Sequence, residues 1–185
     1  MNQPFVTFYT PTFRRPRQLA ACLASVAVQT VATRIEQIVI PDHVGLGVGG
    51  MFERVPLYKD AVHGEYVHFL ADDDELAQPD VVERLAEFAF IEGYPAVIIV
   101  RVQKGATQLP KGQGWNPPVC GEIDLGCMVV RADVWKAHAQ DYGARYEGDF
   151  DMAKALHDAG HRFVFCDLFF LVGAVSRGTP EAVAV

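Results

Sequence analysis

Apolar residues along the first hundred positions alternate between two spacings. Short runs rich in β-branched and aromatic residues predict strands: Phe5-Val6-Thr7-Phe8-Tyr9-Thr10, Ile35-Glu36-Gln37-Ile38-Val39-Ile40, Tyr66-Val67-His68-Phe69-Leu70 and Ala96-Val97-Ile98-Ile99-Val100. Between them apolar residues recur at helical spacing. Leu19, Cys22, Leu23 and Val26 share one face of a helix beginning near Arg15, a weak helix runs on to about His63, and Val81, Val82, Leu85 and Phe88 mark a third after Asp80. Strands alternating with helices predict an α/β fold around a mostly parallel sheet. Beyond Gln103 the pattern dissolves, and residues 103–123 are glycine, proline and polar side chains, a length that marks a functional or disordered loop. Regular spacing resumes as a strand at 128–131, helices at 132–140 and 149–159, and a strand at 162–172, and 176–185 reads as a frayed tail.

The third strand ends in Asp72-Asp73-Asp74-Glu75. In an open α/β sheet the carboxyl ends of strands are where ligands bind. Carboxylates this close repel unless a cation or hydrogen-bond donors compensate them. Oxygen ligands of this kind suit Mg²⁺ or Mn²⁺, usually shared with substrate phosphates. An acidic solvated turn leading into a helix accounts for the same residues.

Composition narrows the field. With 185 residues, 50% hydrophobic and 21% charged, the chain has the length and balance of one globular domain. A net charge of −7 gives no general attraction to nucleic acid or anionic membrane. Cys22, Cys120, Cys127 and Cys166 show no paired spacing, which predicts thiols of a reducing compartment. No signal-peptide pattern opens the chain and no apolar run spans a bilayer, so the expectation is a soluble cytoplasmic protein with no transmembrane segment.

A literal G-x-G-x-x-G at Gly45, Gly47 and Gly50 follows a strand and precedes a helix, as in a dinucleotide-binding turn for NAD(P). Pro41-Asp42-His43-Val44 separates it from the strand, whereas the first glycine of that turn should leave the strand directly.

A second pattern uses more of the chain. Thr10-Pro11-Thr12-Phe13-Arg14-Arg15 after the first strand resembles the Pro-Thr-Tyr-Asn-Arg opening of family 2 glycosyltransferases of the GT-A fold. Ile38-Val39-Ile40-Pro41-Asp42 is similar to that family's second strand and its aspartate. Residues 61–74 are similar to its Ala-x-Gly-Glu-Tyr-Ile-x-Phe-Leu-Asp-x-Asp segment, which places Asp72 and Asp74 on the DXD motif. Gly148-Asp149-Phe150-Asp151-Met152 and Gly160-His161-Arg162-Phe163 resemble its Glu-Asp-Tyr-Asp-Leu helix and the strand after it. The likeness runs from residue 5 to 166.

The resemblance implies a single GT-A domain, a three-layer sandwich with a nucleotide-sugar half (1–102), an acceptor-side half (103–175) and a tail. It implies transfer of a sugar from a nucleoside-diphosphate donor to an acceptor hydroxyl, with inversion. A divalent Mn²⁺ or Mg²⁺ would sit at Asp74, assisted by Asp72 beside the ribose, with Asp73 next to them. Thr10, Pro11 and Thr12 would line the nucleoside pocket, and Asp42 would accept from the base, although it also suits a turn after Pro41. Arg14, Arg15, Arg17 and, more weakly, Arg54 are candidates for phosphate pairing, or the exposed face of a helix. Asp149 takes the general-base position, with Glu147 and Asp151 close enough to replace it, and Gly148 departs from the family's glutamate. Trp115 either stacks on a sugar or tucks over the core, and Gly126 begins the acceptor wall. The donor base, the sugar and the acceptor stay open, as do a dinucleotide-dependent oxidoreductase using Gly45 to Gly50, a nucleotidyltransferase and a non-catalytic nucleotide-sugar-binding module.

Overall fold

Burial on both faces explains why the predicted strands are nearly continuous apolar runs. Val6, Thr7, Phe8, Tyr9 and Thr10 are all buried, as are Tyr66 to Phe69 and Val97 to Val100. The fold is that of a computed structural model, which describes residues 3–173, so the predicted tail lies outside the described residues. In chain order the main elements are β1 (Val6–Thr12), α1 (Pro16–Ala27), β2 (Ile35–Pro41), α2 (Gly47–Arg54), β3 (Tyr66–Phe69), β4 (Asp74–Leu76) and α3 (Val81–Ile91). There follow β5 (Val97–Lys104), β6 (Thr107–Leu109), β7 (Met128–Arg131), α4 (Ala132–His138), α5 (Gly148–Asp158) and β8 (Phe163–Gly173).

The strands join in the order β2-β1-β3-β7-β5-β8-β4, with β6 on β5. Only β1 with β2, β1 with β3, and β5 with β8 are parallel; β7 runs antiparallel to both β3 and β5, and β4 to β8. The sheet is therefore mixed, not mostly parallel. Parallel neighbours require a long crossover. No α-helix lies between β5 and β7, which pair antiparallel.

Aromatic contacts define the layers. On one face Phe8, His68 and Phe170 meet beneath α1 and α3, which Gln29 ties together by donating to Gln78 and accepting from the Val82 N–H. On the other, Tyr9 and Phe69 pack on Phe52 of α2, on Tyr58 and on Tyr142, whose hydroxyl accepts from the Trp135 indole of α4. Three layers result. Cys22 and Val26 of α1 are buried as expected, but Leu23 is 38% exposed and lies off the apolar stripe.

Strand β5 continues four residues past Val100. Val102 is buried between half-buried Arg101 and Gln103, the alternation of a strand with one open face. This extension brings Lys104 to the edge where the acidic residues lie.

Candidate active site

Strands β1 and β3 are parallel neighbours, so their carboxyl ends open on the same edge. Asp72 follows β3 and is fully buried. Arg15, at the entry to α1, places Nη2 2.6 Å from Asp72 Oδ1 and Nη1 3.0 Å from Asp73 Oδ2. Burial raises the Asp72 pKa, while the Thr12 hydroxyl, Arg15 and the Phe13 N–H pull it back. Thr12 and Arg15 thus join the first predicted motif to the acidic one.

Asp74 begins β4, which pairs Asp74 with Gly173 of β8, and β8 pairs the same Gly173 with Lys104 of β5. Asp74, Gly173 and Lys104 form one row across three strands. Side chains two strands apart lie too far apart to meet over a bulky middle residue, the strand spacing being about 4.8 Å. Gly173 removes the obstacle: a Cβ there would stand 1.9 Å from Asp74 Oδ1. Lys104 Nζ consequently reaches to 3.3 Å from Asp74 Oδ2. It is also 3.3 Å from Oδ1 of Asp124, whose same oxygen accepts the Gly126 N–H and caps the short turn Leu125–Cys127. Burial pushes Asp74 up to about 7, against the Lys104 charge and with the help of Asp73 and Asp124. The second oxygen, Oδ1, is buried and has no hydrogen-bond partner among the described residues.

Asp149 lies in the first turn of α5. Its carboxylate accepts from the N–H groups of Phe150 and Leu125, so the turn after Asp124 ties the base candidate to the acidic cluster. Burial lifts its pKa to about 6 against those donors, with Asp124 adding repulsion. Gly148 beside it has no room for a side chain, because a Cβ would stand 2.2 Å from the Gly143 carbonyl and 2.5 Å from the Phe52 ring. The glycine at the position of the family's glutamate is thus a packing requirement of this chain. Gly126 is buried and its carbonyl accepts from His68 Nε2, with the ring pushed down to about 4 by burial and therefore neutral.

Several predicted residues also have partners within the protein. Asp42 accepts from the N–H groups of Val44, Gly45 and Leu46, which makes it the acceptor of the glycine turn. Burial works against those bonds, yet they hold its carboxyl below the usual range. Those same N–H groups would have to cradle a dinucleotide pyrophosphate. Gly45, at φ +79°, lies under the Phe13 ring, and Gly49 against the Ala144 backbone, so these glycines serve close packing. Arg14 lays its guanidinium 5.1 Å from the Phe13 ring centre, and Arg54 lies near Tyr9 and Asp42. Thr10 is buried and accepts from Gln37, and Pro11 pairs with Ile40 in the sheet. Asp151 is ion-paired with Arg145, which holds its pKa low. Trp115 stacks at 5.8 Å on Phe165 of β8 and is only half exposed. Lys104 and Asp124 escaped the sequence reading because both lie at the margins of the patternless segment.

Among the described residues no three histidine, cysteine or carboxylate groups gather as a ready metal site. The donor set still fits a hard cation shared with a substrate. Among the described residues Asp74 offers a buried oxygen without a hydrogen-bond partner, while Arg15 pairs with Asp72 and Asp73, and Lys104 with Asp74 and Asp124. Among the described residues no helix is long and apolar enough to cross a membrane.

No family model and no curated relative matches the sequence. Solved structures do. S. aureus TarS 1-349 in complex with UDP-GlcNAc superposes with a TM-score of 0.67 at 14% identity, over 97% of this chain and 61% of that one. Its complex with UDP gives 0.65 at 12% identity, over 92% and 60%. A longer TarS structure gives 0.66 at 14%, over 92% of this chain and 37% of that one. The chain therefore spans about three fifths of TarS 1-349, and what the two share is the fold.

Proposed function

We propose that this protein transfers a sugar from a nucleoside-diphosphate donor to an acceptor hydroxyl, with inversion at the anomeric carbon. The observation that carries the proposal is the convergence of three parts of the chain. The exit of β1 (Thr12, Arg15) and the aspartates after β3 form one side. Asp149 joins them from α5 through the Asp124-Leu125 turn. The complexes of TarS with UDP and UDP-GlcNAc support a nucleotide sugar as the donor.

Residues 1–102 would form the donor side and residues 103–175 the acceptor side. Mn²⁺ or Mg²⁺ held by Asp74, with Asp72 beside it, would supply a Lewis acid for the charge that develops on the diphosphate. Arg15 fixes Asp72 and Asp73 in position. Asp149, with its pKa lifted to about 6 by burial, is ionised at neutral pH yet basic enough to accept the acceptor's proton. As that O–H proton passes to the Asp149 carboxylate, the oxygen bonds the anomeric carbon and the bond to the diphosphate breaks. The acceptor is proposed to meet Gly126 and the turn around it, next to the base.

Calorimetry with a panel of nucleoside diphosphates, with and without Mn²⁺, on wild type and Asp74→Ala tests this. Manganese-dependent binding that the substitution abolishes supports the proposal. NAD(P) binding without metal, and no diphosphate binding with it, would refute it. Release of pyrophosphate would indicate nucleotidyl transfer, and binding without turnover a silent module.

A further inference from the structure

Lys104 has no part in the reaction as proposed, yet it is placed with care. Its side chain is 26% exposed and its ammonium is equidistant from Asp74 Oδ2 and Asp124 Oδ1, at 3.3 Å from each. Charge-assisted N–H···O contacts normally close to about 2.7–2.9 Å. The ammonium is therefore shared between two carboxylates and docked tightly on neither.

The Asp124 carboxylate and the Asp74 backbone are held independently of the lysine. Asp124 accepts the Gly126 N–H at 2.8 Å, and the Asp74 N–H donates to the Ala71 carbonyl at 3.0 Å. Asp74 and Lys104 can approach each other because residue 173, between their strands, has no side chain. Among the described residues one positive charge faces two negative ones there, and Asp74 Oδ1, on a residue only 1% exposed, is left without a hydrogen bond. Two carboxylate ligands with further oxygens from a substrate phosphate are the usual surroundings of Mg²⁺ or Mn²⁺. A flexible four-carbon stem lets an ammonium enter or leave such a seat.

We propose that Lys104 is a resident placeholder. Its ammonium occupies the cation seat between Asp74 and Asp124 while no nucleotide is bound, and yields it to the divalent ion that arrives with the diphosphate. The inference rests on the proposed donor site, adds Asp124 as a further protein ligand, and makes metal uptake conditional on nucleotide. Two carboxylates and an ammonium cannot accept a free divalent ion without expelling the lysine. The diphosphate supplies both the extra ligands for the ion and a new anion for the ammonium to face.

The test is Mn²⁺ titration followed by the electron paramagnetic resonance signal of free Mn²⁺, first without nucleotide and then with UDP. Wild type is expected to take up Mn²⁺ only after UDP is added. Lys104→Met should bind Mn²⁺ without nucleotide, at least tenfold more tightly than wild type, and Asp124→Asn in that background should remove the gain. Circular dichroism shows whether each variant keeps its fold. A folded Lys104→Met that gains no Mn²⁺ affinity overturns the proposal, as does a double variant that keeps the gain. Micromolar Mn²⁺ binding by nucleotide-free wild type overturns it without any variant. The nucleotide-free measurements concern the seat alone, so a gain in Lys104→Met with no uptake on adding UDP supports the seat and counts against the nucleotide-sugar function.

Discussion

Replacing Asp149 by asparagine should make the protein more stable and less active, and the stability gain should appear only where the carboxylate is ionised. Burial raises the Asp149 pKa from 3.8 to about 6, so the folded state holds the proton more tightly than the unfolded chain. Holding the charge in the folded state therefore costs stability. The cost is absent below about pH 4, grows between pH 4 and 6, and is complete above. At about 1.4 kcal/mol per tenfold change in proton affinity, its ceiling is ~3 kcal/mol. Because the residue is half-buried and solvent screens part of the field, about half of that is a reasonable expectation. Asparagine keeps an oxygen for the Phe150 and Leu125 N–H groups and carries no charge. Urea denaturation of both proteins at pH 4 and pH 8 measures the change. The stability of Asp149→Asn relative to wild type should rise by roughly 1–2 kcal/mol between the two pH values. Transfer should fall by about 10²–10⁴ with donor affinity unchanged, and wild-type transfer should rise with pH through about 6. A relative stability that stays flat or falls with pH would refute the electrostatic reasoning, whatever the activity.

Four other outcomes follow from the geometry. Arg15→Met strands the buried Asp72 charge and should cost about 3–5 kcal/mol in urea denaturation, with much of the loss recovered by adding Asp72→Asn. Gly173→Ala forces Asp74 aside and should lower stability by about 1–3 kcal/mol and Mn²⁺-dependent nucleotide affinity with it, as calorimetry would show. Asp42→Ala removes the acceptor of three loop N–H groups and should cost about 1 kcal/mol in thermal melts. Trp115→Ala loses its stack on Phe165 and should cost ~2 kcal/mol while donor affinity stays as it was.

Most of the elements and half of the site could be read from the chain because both are local. The runs that became β1, β3 and β5 are apolar at successive positions since both their faces are covered, and that burial is written into the residues themselves. Asp72 to Asp74 were visible at a strand's end, and Asp149 at a helix start, because spacing from the nearest element is enough to place them. The antiparallel course of β7 was not visible, since strand direction depends on which neighbours it finds and not on its own four residues. Asp42 suits a ligand or a turn from its sequence, and only the fold shows the three loop N–H groups it accepts from. Lys104 and Asp124 carried no pattern at all. They meet Asp74 because β4, β8 and β5 align in one register over a glycine almost seventy residues from Lys104. Local spacing records which face a residue prefers. Which charges then stand together is decided by strand order and register, and these follow from packing the whole sheet.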